Sequence, residues 1–360
     1  MANVNDITKD DWLRSSFPEW GTYLNEEIAK TKVQPGTFTM WWTGCMGLWL
    51  KTEHDTNLCI DLWFGNGKRT QKKTEYEKGH QMRNMSGGLL IQPNLRIQPV
   101  VIDPFCDIAI PDLDAVLSTH YHGDHIDINF MAALLKHGKP DIPFIGPAKV
   151  VEKWVLWGVP KDRCIIVKPG DTLKIKDITL YVEDAFDRTC LVTQDAYKDL
   201  RGKLIDFNQD MDCKAVNYVI KTPGGTLYHA GDSHYSIRFA KHGKDYPIDV
   251  AVGAYGENPP GISDKLTSVD ILRMAEALNT KVVIPLHYDI WSNMMADTRE
   301  ILVLYEMRKY RLQYQFSPFI WEVGGSFTWP DDKDKREYHH RRGFEDSFSE
   351  DPNVPYKSIL

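Results

Sequence analysis

Positions 120–125 of this chain read His-Tyr-His-Gly-Asp-His, three imidazoles and a carboxylate within six residues. A short apolar run with strand character, Ala115-Val116-Leu117, precedes them. Side chains two apart on an extended chain share a face, so His120 and His122 can address one metal ion together. The chain must then turn, which Gly123 permits. Past the turn, Asp124 and His125 can reach a second ion or a metal-bound water. Imidazole suits Zn, Fe, Ni and Mn-type ions, and carboxylate tilts the choice towards harder metals. The bland alternative, a solvated histidine-rich turn, leaves the clustering without a cause. Whatever the fold, it has to bring this strand end to a place that other ligands can reach.

The chain has 360 residues, long for one domain but within the range of a single large α/β core that buries roughly three quarters of its unfolded surface. Apolar residues make up 42% and charged residues 26%, the balance of an ordinary globular protein. A net charge of −7 argues against a nucleic-acid partner, which would want a basic surface. The basic runs Lys68-Arg69, Lys72-Lys73 and Arg341-Arg342 sit among polar or acidic residues and read as solvated faces. Six cysteines are scattered without a Cys-x-x-Cys pair, which disfavours a zinc ribbon or a thioredoxin-like site. The first residues hold no apolar signal segment, and no apolar run is long enough to span a bilayer. These features predict a cytoplasmic protein with reduced thiols and no membrane partner.

Helical periodicity around Trp12, Phe17, Trp20, Leu24 and Ile28 predicts an N-terminal helical extension over 1–35. Strands are predicted over 39–51 and 58–63. Residues 65–99 break the pattern and read as an insertion that covers the site, builds a subunit contact or makes a disordered excursion. Strand character resumes at 100–103 and again at 115–117. A helix at 129–137, a strand at 142–145 and a helix at 148–157 follow. Residues 164–182 read as two or three strands, and 215–221 with 226–229 as a hairpin about Pro223-Gly224-Gly225. A strand at 249–252, a helix at 269–278, a buried strand at 281–286 and a last helix at 299–311 complete the pattern. The charged tail, 331–360, is expected to run over the surface. Two packed β-sheets with helices on their outer faces account for this order.

Single polar residues close several apolar strands: Asp61, Asp187, Asp232 in Gly231-Asp232-Ser233, and His287. Alone, each reads as a turn residue or a satisfied core histidine. Their order after the histidine cluster resembles the metallo-β-lactamase superfamily, whose fold is a four-layer αββα sandwich. His120, His122, Asp124 and His125 meet its His-x-His-x-Asp-His signature in full. The resemblance implies one domain over 1–360. It also implies that His120 and His122 hold one metal, that Asp124, His125 and His287 hold the other, and that Asp232 bridges them. The departure is the third motif, where Asp187 stands in place of the usual histidine. Trading nitrogen for carboxylate oxygen moves preference from zinc towards Mn²⁺ or Mg²⁺, and a one-metal site is compatible with it.

Longer strings resemble the L-ascorbate-6-phosphate lactonase group: Ser16-Phe17-Pro18-Glu19-Trp20-Gly21, Trp41-Trp42-Thr43-Gly44-Cys45 and Asp184-Ala185-Phe186-Asp187-Arg188-Thr189. Tyr255-Gly256-Glu257-Asn258-Pro259 and His287-Tyr288-Asp289-Ile290-Trp291-Ser292-Asn293 extend the match. This resemblance implies a cytosolic, oligomeric, Mn²⁺-dependent hydrolase, with Zn²⁺ as the second choice of ion. Its reaction would open the lactone of L-ascorbate 6-phosphate to 3-keto-L-gulonate 6-phosphate. The residues fit hydrolysis, because an open metal position lowers the pKa of its water and the hydroxide can attack an ester carbonyl. Asp124 and Asp232 are the candidates for proton transfer. The substrate's phosphate needs a cation away from the metal, and Arg188 and then Lys265 are expected to supply it. Arg238, Lys241 and His242 are the alternatives. A phosphodiesterase for small cyclic nucleotides would share the same core motif. The diiron redox branch carries Glu where this chain has His122, and a non-catalytic scaffold would have no need of the ligand set.

Overall fold

The computed structural model describes residues 3–16, 18–65, 96–192, 210–258, 265–288, 290–291 and 294–340. Most of the expected insertion 65–99, the tail from 341 onward, the three basic runs, and Phe17, Pro259, Asp289, Ser292 and Asn293 lie outside the described residues.

Two short helices open the chain, α1 (Lys9–Ser16) and α2 (Tyr23–Lys30). Trp12, Leu24 and Ile28 point inward, as the periodicity predicts. The first sheet contains β1 (Phe38–Gly44), β2 (Gly47–Thr52), β3 (Asn57–Ile60), β4 (Ala115–Leu117), β5 (Phe144–Gly146), β6 (Cys164–Ile166) and β14 (Ser326–Trp329), in the order β14-β1-β2-β3-β4-β5-β6. Its second half, from β3 on, is parallel. Ile60 pairs with Leu117 in that register, so Asp61 emerges beside the start of the histidine cluster. The second sheet contains β7 (Thr172–Ile175), β8 (Ile178–Asp184), β9 (Val216–Thr222), β10 (Gly225–His229), β11 (Val250–Ala254), β12 (Val282–Leu286) and β13 (Ser317–Pro318), in the order β13-β12-β11-β10-β9-β8-β7. Strands β10, β11 and β12 are parallel, while β9 is antiparallel to both β10 and β8. Strand β8 therefore runs the same way as β10 and β12. Asp187, Asp232 and His287, which follow those three strands, leave the sheet at one edge.

Helices cover the outer faces. Helix α3 (Ile128–His137) follows the histidine cluster, and α4 (Ala148–Leu156) packs on β5 and β6. Two short helices, α5 (Arg188–Val192) and α6 (Met211–Lys214), precede β9 and pack on each other, with α6 also against α4. Helices α7 (Phe239–Asp245), α8 (Ser268–Leu278) and α9 (Arg299–Leu312) cover the second sheet, with α8 against β11 and β12. The result is the αββα sandwich. Strands such as β1, β11 and β12 are buried along their whole length because the opposing sheet covers one face and other elements the second. The sheets are stitched at the end of β4, where Val216 N donates to Thr119 O (2.9 Å) and the Tyr218 hydroxyl to Ser118 O (2.9 Å). Among the described residues, no helix is long and apolar enough to cross a membrane.

Residues 100–103 are buried but form no strand, against expectation. A side chain takes the backbone groups of Asp103 instead: Asn25 accepts from Asp103 N (2.9 Å) and donates to Asp103 O (3.0 Å). The last residues of the expected insertion are anchored in the same way. The Arg96 guanidinium donates to Thr43 O and Trp63 O (2.9 Å each), Gln98 O (3.0 Å) and Pro99 O (3.2 Å). Its approach requires Gly44, whose backbone is left-handed (φ 110°) and whose Cβ would lie 2.6 Å from Arg96 Nη2. Two strand pairings that sequence patterning did not reveal, β13 and β14, close the ends of the two sheets. In the tail, Tyr338 N donates to Ile320 O (2.9 Å), and the His340 ring lies against Trp20.

Replacing Arg96 with Met strands these buried carbonyls. At about 1–3 kcal/mol for an unsatisfied buried group, and with water relieving some of them, Arg96→Met should cost on the order of 3 kcal/mol. The urea midpoint reads this directly; an unchanged midpoint would show that the guanidinium does not hold this junction.

Candidate active site

Seven candidate ligands converge where the strand ends of both sheets meet. His120 and His122 leave β4 two residues apart, and His120 Nε2 and His122 Nδ1 lie 3.0 Å apart. Asp187 Oδ2 stands 3.7 Å from His120 Nε2, in the place expected of a third-motif ligand. The cause is local. Asp187 Oδ1 accepts from Thr189 N (2.9 Å), Thr189 Oγ1 (2.5 Å) and Cys190 N (3.1 Å), capping the first turn of α5. One oxygen serves the helix, and the other is turned towards the imidazoles.

The second group forms around Asp232. His125 Nε2 is 3.3 Å from Asp232 Oδ1, and His287 Nε2 is 3.7 Å from Asp232 Oδ2 and 3.2 Å from Asp124 Oδ2. The turn at Gly123 is present but uses no left-handed backbone there. The left-handed residues are Asp61 (φ 51°), Cys45 (φ 48°) and His287 (φ 76°), all lining this region. His229, in the same string as Asp232, is a core residue whose Nε2 lies 2.9 Å from Met46 O.

Asp61 organises both groups. It is buried, and its oxygens accept from Thr119 N (2.7 Å), Thr119 Oγ1 (2.6 Å) and His125 Nδ1 (2.9 Å). Thr119 Oγ1 in turn lies 3.0 Å from His120 Nδ1. One carboxylate thus sets the rings of His125 and His120. A second series ties the loops: Phe186 N donates to Ser233 Oγ (2.9 Å), which donates to Asn217 Oδ1 (2.9 Å). The Trp291 indole donates to Asp124 Oδ2 (3.1 Å) and packs on Trp63 at 4.7 Å.

Several candidate ligand atoms are left for a metal to satisfy. His125 Nε2, Asp187 Oδ2, Asp232 Oδ1 and both ring nitrogens of His287 are buried without a hydrogen-bond partner. Uncompensated, such groups are costly. Burial pushes the Asp187 carboxyl up, but the imidazoles of His120 and His122 outweigh it and bring it to about 2. Burial likewise opposes Asp124 and Asp232, which are nonetheless held well below the usual carboxylate range, Asp124 chiefly by His125 and Asp232 chiefly by Lys265. Burial and the neighbouring rings of His125 and His122 take His120 down to about 3, so it stays a neutral donor. Burial pulls His125 down too, yet Asp232, Asp124 and Asp61 raise it well above its ordinary value. Three ionised carboxylates and inward-facing imidazole nitrogens fit a divalent cation.

The expected phosphate contacts divide. Arg188 is exposed beside Asp187, at the start of α5. Lys265 is not a remote anchor: it is buried, and its Nζ lies 2.5 Å from Asp232 Oδ2. The three alternatives are engaged elsewhere. Arg238 pairs with Asp184 (2.7 Å), Lys241 with Asp245 (3.4 Å), and buried His242 bonds the Tyr228 hydroxyl (2.8 Å). Sequence reading passed over Thr119, Trp291 and Cys190, and noted Asp61 only as a strand end. Cys190 joins His120, His122 and Asp187 in one group of potential ligands, and Cys45 joins Asp124 and His287 in another.

A family model described as "Beta-lactamase superfamily domain" matches residues 88–288. A relative from Escherichia fergusonii, described as a "Probable L-ascorbate-6-phosphate lactonase UlaG", is 59% identical over 360 residues, covering all of both chains. The protein of the same description from Salmonella paratyphi B is 58% identical over the same span. Among solved structures, Igni18, a metallo hydrolase from Ignicoccus hospitalis, is similar with a TM-score of 0.53 at 16% identity, over 81% of this chain and 98% of that one. An isothiocyanate hydrolase from Delia radicum gut bacteria gives a TM-score of 0.56 at 18% identity, over 80% and 98%. At these identities the structural likeness is one of fold.

Substitution behind the ligands should be felt by the metal. Partners of this kind typically contribute 10–100-fold in metal affinity, so Asp61→Asn should weaken divalent-ion binding by roughly that factor with the fold retained. Titration calorimetry on metal-stripped protein measures it, with His122→Ala and His287→Ala as direct-ligand controls expected to lose more. Wild-type affinity in Asp61→Asn would remove its organising role.

Proposed function

Because the chain belongs to the metallo-β-lactamase superfamily and, within it, to the L-ascorbate-6-phosphate lactonases, we propose that it opens the lactone ring of L-ascorbate 6-phosphate by metal-dependent hydrolysis, giving 3-keto-L-gulonate 6-phosphate. The full-length identity to that group carries the reading. The buried ligand atoms without partners support the metal dependence.

In this reading His120, His122 and Asp187 hold one ion position, and Asp124, His125, His287 and Asp232 the other. The ion supplies Lewis acidity and makes water nucleophilic at neutral pH. Asp124 is the ligand closest to the mouth, with a side chain 18% exposed against 3% for Asp232. Held ionised, it can orient the attacking water, accept its proton, and return that proton to the ring oxygen as the carbonyl–oxygen bond breaks. Asp232, the more deeply buried of the two, would help orient the water. Its Oδ2 is engaged by Lys265, which fixes the carboxylate's rotation. Arg188 is the proposed phosphate anchor, since it is exposed and adjoins a ligand. Lys265 contributes to substrate binding from within the centre, close to the reacting carbonyl.

We read the ion as Mn²⁺, on the ground that a carboxylate at 187 replaces an imidazole. Six free thiols support a cytoplasmic setting. An assembly of several copies is part of the same reading. Val303, Met307 and Tyr310 support it, forming an exposed apolar stripe at i, i+4 and i+7 on α9.

Two experiments test this function. Chelation should abolish lactone opening, and Mn²⁺ should restore it better than Zn²⁺. Asp187→His should move that preference towards zinc, whereas an unchanged metal profile would mean Asp187 is not a ligand. The second compares substrates. Wild type should turn over L-ascorbate 6-phosphate far faster than free ascorbate, because phosphate binding energy can appear in kcat as well as KM. Arg188→Ala should penalise only the phosphorylated lactone, while Lys265→Ala, acting through Asp232, should penalise both. Asp124→Asn should lose about 10²–10⁴-fold in kcat. Equal wild-type rates on the two substrates would sink the anchor.

A further inference from the structure

Cys190 sits among the metal ligands although no function has been given to it. Its Sγ lies 3.8 Å from His122 Nε2, and it can place that sulfur within 4.8 Å of a donor atom on each of His120, His122 and Asp187. It is buried with them. An independent observation marks the same spot as a ligand position: Asp187 Oδ2, also buried, faces it without a hydrogen-bond partner.

The backbone under this thiol is fixed from three sides. Cys190 N donates to Asp187 Oδ1 (3.1 Å), while Cys190 O accepts from the Tyr121 hydroxyl (3.2 Å) and from Lys214 Nζ (3.0 Å). The side chain is therefore held in place before any ion arrives, which reduces the ordering needed on binding. Two imidazoles, one carboxylate oxygen and one sulfur are four donors, the number and kind that zinc takes in tetrahedral sites. Manganese prefers oxygen and nitrogen and gains little from sulfur.

We propose that Cys190 is a metal ligand of the His120–His122–Asp187 set, engaged by thiophilic ions such as Zn²⁺ and Co²⁺ and left as a free thiol by Mn²⁺. On coordination the S–H bond breaks heterolytically. The proton leaves to solvent, and the electron pair on sulfur forms the bond to the ion, with no change of oxidation state. Cys190 thereby sets the metal selectivity of the centre, holding zinc-class ions in a four-donor site that manganese occupies with three protein donors. This rests on the metal reading of the centre and is independent of which lactone is the substrate.

The test uses the full-length protein, stripped of metal and titrated with Co²⁺, Zn²⁺ and Mn²⁺ separately. Cobalt-loaded wild type should show a near-ultraviolet thiolate-to-cobalt charge-transfer band. Cys190→Ser and Cys190→Ala should lose it, and Cys45→Ser should keep it. The two Cys190 variants should bind Co²⁺ and Zn²⁺ at least about 10-fold more weakly and Mn²⁺ within a few-fold of wild type. Cobalt bound without the band, a band that survives in Cys190→Ala, or equal losses for Co²⁺ and Mn²⁺ would overturn the assignment. A wild type that takes up no ion at all would instead overturn the metal reading itself. X-ray absorption of zinc-loaded protein needs no Cys190 variant. Wild type and Cys45→Ser should both show a sulfur neighbour at about 2.3 Å; its absence from either removes Cys190 from the ligand set.

Discussion

The Asp61 carboxylate is the contact on which the centre depends. It is buried, yet it stays ionised because the imidazole of His125 outweighs the cost of burial. It closes β3, and the parallel register of β3 with β4 sets it against Thr119. A one-residue slip in that pairing would turn every side chain of β4 to the other face and separate Thr119 from Asp61. The geometry of the metal ligands is thus a consequence of sheet register. The hydrogen bond from His125 also fixes which ring nitrogen faces inward, the usual arrangement for a histidine that binds metal.

The same centre concentrates negative charge that no ordinary protein interior tolerates. Asp124 and Asp187 both lie near Asp232, and all three are held ionised against burial. Lys265 balances part of this from one side, through Asp232. Two further buried cations bond backbone carbonyls, Arg96 those of Trp63 and Thr43 while lying over the face of Trp63, and Lys214 that of Cys190. What remains is a demand for positive charge at the inner faces of the imidazoles, which a divalent ion meets.

Much of this was legible in the sequence, for identifiable reasons. The histidine cluster is short and local, so the i, i+2 geometry of an extended chain fixes its meaning. The helices at 128–137 and 268–278 were readable because their periodicity is strong and their caps are local: Asp127 accepts from Asn129 N, and Thr267 and Asp270 form a capping box. Strands β13 and β14 were not readable, being short and defined by partners far away in the chain. Residues 100–103 have the composition of a strand, yet the backbone N–H and C=O of Asp103 are taken by a single distant amide, Asn25. Lys265 reads in the sequence as a phosphate anchor away from the metal, because charge alone does not reveal burial. Its partner, Asp232, lies 33 residues away. Asp187 is legible as a candidate ligand only through its departure from a pattern, and its dual use of two oxygens appears only in three dimensions.

The hydrogen bonds from Phe186 through Ser233 to Asn217 make one body of two loops. Asn217 stands in the middle of the second sheet, on β9, where its amide also donates to Asp184 O (2.9 Å) and to the Tyr228 hydroxyl (2.9 Å). Two of these four hydrogen bonds, those of Asn217 with Ser233 and with Tyr228, are buried, where a lost partner is costly. Substitution at 217 would therefore disturb both loops at once, although Asn217 is not among the candidate ligands. A neutral amide, able to donate and accept at once, is the one side chain of that size that holds the Asp187 and Asp232 loops at a common distance. The sheet's interior thereby acts as the gauge block against which the metal centre is set.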